Sequence, residues 1–89
     1  MLVKVRRIEV SGPQKLRLWF TDGSMGERDF ADELAQGGPM AEPLRDPSFL
    51  AQVFLDFGAP TWPNGYDMAP WALHEDMSNE GLLRHAESV

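Results

Sequence analysis

The apolar positions of the chain change their spacing near residue 30. Between Lys15 and Thr21 they alternate: Leu16, Leu18 and Phe20 fall on one face, and Lys15, Arg17 and Trp19 on the other. A period of two marks a half-buried strand, because successive side chains of an extended chain point to opposite sides. Leu2 to Val10, rich in Val and Ile, predicts a strand before it, ended by the turn Ser11-Gly12-Pro13-Gln14. Asp22-Gly23 signals a hairpin, since glycine takes a positive φ at no steric cost. Ser24 to Phe30 then returns as a third strand, completing an antiparallel three-stranded meander.

After Ala31 the elements become short. Asp32-Glu33-Leu34-Ala35 predicts a helical turn stopped by Gly37-Gly38-Pro39, and Met40 to Leu44 another turn. Asp46-Pro47 is a helix start, with an acidic cap followed by a proline whose missing N–H costs nothing there. Phe49 and Leu50 face the core from that short helix. Val53 to Phe57 predicts a fourth strand with Val53, Leu55 and Phe57 on one face, broken by Gly58-Ala59-Pro60, and Thr61-Trp62 pairs back as a brief fifth. Pro70 suits a first helical position, and Trp71-Ala72-Leu73-His74 continues from it. Met77-Ser78-Asn79 interrupts, and Ser78 caps a last short helix to about His85, weakened by Gly81. The reading is α+β: the meander, a short helix, a second small hairpin, and C-terminal short helices packed on the sheet. Residues 1–75 form one domain, and residues 76–89 a helical tail that docks or frays.

Composition narrows this further. Eighty-nine residues with 43% hydrophobic content suit a single core. At ordinary per-residue stability such a fold is worth about 5–13 kcal/mol, a margin to which self-association would add usefully. The chain has no cysteine, so disulfides, thiolate ligands and a cysteine nucleophile are all absent. The N-terminus alternates apolar and charged residues unlike a secretory leader, and no run reaches a membrane span; the expectation is a cytoplasmic protein. The net charge is −6, unevenly spread. Six of the eight cations (Lys4, Arg6, Arg7, Lys15, Arg17, Arg28) lie in residues 1–28, against three of the fourteen anions. Overall acidity disfavours nucleic acid, whose phosphates need a positive face. The simpler reading of the basic third is the solvated side of a sheet.

A series of short motifs runs through most of the chain. Leu18-Trp19-Phe20-Thr21-Asp22-Gly23 leads to Arg28-Asp29-Phe30, then Pro43-Leu44-Arg45-Asp46-Pro47-Ser48-Phe49, then Val53-Phe54-Leu55-Asp56. Thr61-Trp62-Pro63-Asn64-Gly65-Tyr66-Asp67-Met68-Ala69-Pro70 closes it. In order and spacing this resembles the bacterial family called domain of unknown function 2442, from about residue 13 to residue 75. The resemblance implies a compact α+β domain with no established activity. Some members are similar in gene context to components of toxin–antitoxin-like pairs, which points to a protein partner. The pattern departs after Pro70: Leu73-His74 stands where members commonly carry Leu-Tyr.

Candidate chemistry is sparse. Trp62 offers a stacking face, Asn64 hydrogen-bonding groups and Asp67 a base. The competing reading is architectural: Asn-Gly makes a tight turn, Pro63 fixes its entry, and Asp67 caps the next turn. His74 and His85 are eleven apart, without the spacing of a metal pair, and read as surface histidines; no metal and no cofactor are expected. No serine stands in a nucleophile elbow and no phosphate loop is present. On the sheet, Trp19 beside Arg17, Lys15 and Thr21 could stack a base, be covered by the C-terminal helix, or anchor a dimer. Met68, Trp71 and Leu73, with the Leu82-Leu83 tail, read as core by default, with a docking surface as the alternative.

The function these features favour is a non-catalytic protein-interaction module, partnered by another protein or by a second copy. The alternative is a small nucleic-acid-binding regulator using Lys4, Arg6, Arg7, Lys15, Arg17 and Trp19. An enzyme using Asn64 and Asp67 is the third and weakest reading.

Overall fold

A computed structural model describes residues 2–85. The meander forms from β1 (Val5–Gly12), β2 (Lys15–Phe20) and β3 (Ser24–Asp29), each antiparallel to the next. β1 starts later than its composition suggests, at Val5, and also ends later, because Pro13 and Gln14 alone make the turn. Gln14 sits at φ 61°, the left-handed position that a tight turn after proline demands. Cross-strand pairs separate the faces. Ile8 lies opposite Leu18 and Val10 opposite Leu16 on one side; Arg7 opposite Trp19 and Glu9 opposite Arg17 on the other. Register shifts between Val5 and Arg7 and between Val10 and Gly12 confine the regular stretch of β1 to Arg7–Val10.

Leu16, Leu18 and Phe20 have no exposed surface. Burying each contributes about 1.5–3 kcal/mol before chain entropy is subtracted, so β2 is the spine of the core. Over this face lie α1 (Ala31–Gln36), a 3-10 turn (Glu42–Arg45), α2 (Pro47–Leu50) and α3 (Pro70–Asn79). They contribute Leu34, Leu44, Leu50, Leu73 and Met77 to the core. Asp46 caps α2 as its sequence predicts, accepting from the Ser48 N–H at 3.0 Å and the Ser48 hydroxyl at 2.9 Å. β4 (Phe54–Asp56) and β5 (Ala59–Thr61) form a separate hairpin. Its turn is Phe57-Gly58, so Phe57 does not share a strand face with Val53 and Leu55. It sits at φ 51° with 89% of its surface exposed.

The expected C-terminal helix is replaced by a strand. α3 runs through Met77-Ser78-Asn79 without a break, because Met77 is fully buried and anchors it. The helix ends when Gly81 turns left-handed at φ 72°. There the Gly81 N–H donates to the Ser78 carbonyl at 3.1 Å and the Leu82 N–H to the Met77 carbonyl at 2.9 Å. That hydrogen-bond pattern is the glycine stop of a helix, so Gly81 terminates α3 rather than weakening a second helix. The chain doubles back, and β6 (Arg84–His85) pairs with Ser24 and Met25 as a fourth strand, in the order β1-β2-β3-β6. The predicted tail thus splits into the end of α3, a turn and β6, while residues 86–89 lie outside the described residues. The return passes so close to β3 that a Cβ on Gly26 would stand 2.4 Å from the Leu82 carbonyl oxygen.

Arg28 also departs from the solvated-face reading. Its side chain, 13% exposed, lies over the Phe30 ring and reaches Glu33 of α1, Asp76 at 3.9 Å and Glu80 at 3.2 Å. Carboxylates at the C-terminal end of α3 oppose the helix dipole, and one guanidinium offsets both. Trp71, read as core, is 56% exposed on α3, whereas Met68 and Leu73 are buried. No helix among the described residues is long and apolar enough to cross a membrane.

Candidate functional site

The Trp62–Asp67 segment is a turn whose polar atoms are largely used within it. The Trp62 N–H donates to the Tyr66 carbonyl and the Gly65 N–H to the Trp62 carbonyl, both at 2.9 Å. Gly65 supplies the left-handed step, φ 92°. Asn64 accepts from the Tyr66 N–H at 3.1 Å, and its amide donates to the Met40 carbonyl at 2.9 Å, tying the turn to the loop before α2. Trp62 is 1% exposed and donates its indole N–H to the Leu50 carbonyl at 3.1 Å. Its ring belongs to the core and presents no face on which a ligand could stack. Asp67 does not cap the next helix: α3 begins after Ala69, with no side-chain cap, and Asp67 instead forms a backbone bridge to Thr61. Its side chain is exposed. The three residues are neighbours in one turn, with Trp62 buried in the core and Asp67 exposed.

Trp19 and Arg17 lie on the outer face of the sheet. α3 packs on the opposite side, where His74 meets the Phe20 ring edge-on at 5.0 Å, so the helix does not cover Trp19. The Arg7 guanidinium stands 4.8 Å over the indole. Arg17 pairs with Glu27 at 3.2 Å and approaches Glu9 at 3.9 Å, and Arg7 also pairs with Glu9. Two cations of the proposed phosphate face are therefore already matched by carboxylates. Beside Arg17 a shallow depression of about 350 Å³ runs between β3 and the return strand, bordered by Met25, Glu27, Leu82 and Arg84. It carries both signs of charge.

One polar cluster has no counterpart in the sequence reading. Asp22, in the β2–β3 turn, accepts from the Ser24 N–H at 2.9 Å and the Ser24 hydroxyl at 2.6 Å through one oxygen. Its other oxygen lies 2.8 Å from His74 Nε2. His74 is thus not a free surface histidine but half-buried, linking α3 to a turn 52 residues earlier. Burial raises the Asp22 pKa, but the Ser24 hydroxyl and N–H and then His74 outweigh it and hold the carboxyl below its ordinary 3.8. The order of groups decides the chemistry. A serine nucleophile needs the imidazole between hydroxyl and carboxylate; here the carboxylate lies between hydroxyl and imidazole. The cluster is a clasp. The Asp-Gly hairpin signal located one half of it, and no local pattern marks the other.

Among the described residues no group of three or more His, Asp and Glu side chains is placed to hold a metal ion. Comparison with protein-family models, with curated proteins and with solved structures returns no match.

Proposed function

We propose that the protein is a non-catalytic interaction module, and Phe57 is the observation that carries this reading. A bulky residue in the left-handed region costs about 1–2 kcal/mol relative to glycine. The two-residue turn at Phe57-Gly58, with φ 51° and 80°, is the type for which asparagine-glycine is strongly preferred. Single exposed apolar residues are ordinary on protein surfaces. An aromatic ring that is 89% exposed and also held in an unfavourable backbone state gains nothing from the fold. Such a side chain is explained when a partner covers it, since aromatic rings dominate interface energetics. Phe54, 48% exposed, lies three residues before it on the same hairpin.

The motif order from Leu18 to Pro70 supports placing the chain with the domain of unknown function 2442 family, and a bacterial cytoplasmic partner fits that placement. The test compares tagged wild-type and Phe57→Asn chains in affinity purification from bacterial lysate. A protein retained by the wild type and lost from the variant, with unchanged circular dichroism, is the expected result. Identical retained proteins would contradict the reading.

A further inference from the structure

The outer edge of β1 is the longest strand edge left open among the described residues. β1 pairs with β2 on one side; on the other, the β4–β5 hairpin lies beside its start, where the Val5 N–H donates to the Gly58 carbonyl at 2.9 Å, and no described strand pairs with Arg7–Val10 beyond it. We propose that this edge pairs antiparallel with the same edge of a second copy, about a two-fold axis through Ile8. This deepens the interaction reading by naming a partner; Phe57, in the turn that meets the start of the edge, lies beside the pairing window and not in it.

The register follows from face and charge. A two-fold axis perpendicular to the sheet keeps both apolar faces on one side, so outward residues of one chain must oppose outward residues of the other. Arg7 and Glu9 point outward with Trp19 and Arg17, while Ile8 and Val10 point inward with Leu18 and Leu16. Centred on Ile8, each Arg7 faces Glu9 of the second copy and the two Ile8 side chains meet. Centred on Arg7, the two arginines face each other; centred on Glu9, the two glutamates do. Like charges directly opposite are destabilising, so both neighbouring registers are disfavoured. The irregularities that flank Arg7–Val10 limit regular pairing about Ile8 to Arg7–Glu9, because Val10 would oppose Arg6 in the irregular stretch. Bulges at strand edges stop open-ended addition, and the isologous contact closes at two chains. The result is one eight-stranded sheet with the helices of both chains on the same face.

Sedimentation equilibrium of the full chain from micromolar to several hundred micromolar is the first measurement, and a monomer–dimer equilibrium is expected. Arg7→Glu and Glu9→Arg each weaken the dimer on the order of tenfold. An equimolar mixture of the two variants restores it, because at both contacts each chain then meets the opposite charge. Because the chain has no cysteine, Ile8→Cys provides an independent test that needs neither charge variant to fold. Directly opposed residues have Cα atoms about 4.5–5.5 Å apart, within the range of a disulfide, so mild oxidation yields a cross-linked dimer. A wild type that stays monomeric throughout, an uncross-linked Ile8→Cys chain, or a mixture that fails to re-associate overturns the proposal. None of these results alters the Phe57-dependent capture of another protein, so the two readings fail separately.

Discussion

The meander and the segment after it both build the core, but they are held in place differently. In residues 5–29 each apolar side chain is placed by its neighbours: alternation sends Leu16, Leu18 and Phe20 inward, and short turns align the strands. In residues 30–85 the elements are too short to be placed by their own periodicity. Individual side chains fix them instead: Arg28 holds α1 and α3, Trp62 hydrogen-bonds α2, Asn64 reaches Met40, and His74 clasps the β2–β3 turn. Where local pattern is weak, a small domain relies on side chains that act across long sequence separations.

The largest effect separating the two regions is expected at the spine. Phe20→Ala removes a fully buried ring and costs about 3–5 kcal/mol, a large share of the margin of a domain this size. Urea denaturation should show a sharp fall in the midpoint. At the junction, Gly26→Ala places a methyl against the Leu82 backbone, which cannot move aside as a flexible side chain would. A loss of about 2–3 kcal/mol is expected, with β6 displaced.

Arg28→Met leaves three carboxylates without their shared cation. Breaking a buried pair costs about 3–5 kcal/mol; with the acidic partners about half exposed, about 2 kcal/mol is expected here. Native-state hydrogen exchange should quicken in α3 and at Met25 and Arg84, while β1–β2 amides keep their protection. Uniform quickening would blur the distinction between the regions.

The Asp22 clasp adds a pH dependence. Its folded pKa lies below 3.8, so its contribution is present above that value and is lost as the pH falls through the folded pKa. Asp22→Asn should therefore be less stable than wild type at pH 6, and the gap should narrow below pH 3.8. A constant gap would show that geometry, not charge, makes the contact.

This contrast also explains what the sequence made legible. The meander, the Asp46 cap and the second hairpin follow from signals spanning a few residues. Gly81 was visible but ambiguous, because a glycine weakens a helix interior and ends a helix equally well; only the burial of Met77 decides which. Phe57 fits an alternating strand pattern, and the tight turn that removes it from that pattern depends on pairing between β4 and β5. Trp62 and Asn64 were visible as a turn motif, yet their partners, Leu50 and Met40, lie 12 and 24 residues away. The Asp22–His74 pair spans 52 residues and left no local trace.

The smallest effect bears most directly on function, because the interaction reading requires that Phe57 is kept at the expense of stability. Thermal unfolding of Phe57→Asn measures this directly. Asparagine tolerates the left-handed turn position, so the variant should gain about 1 kcal/mol and melt about 4–8 °C higher than wild type. A melting temperature that stays the same or falls would mean the ring serves the fold, and the interaction reading would lose its support.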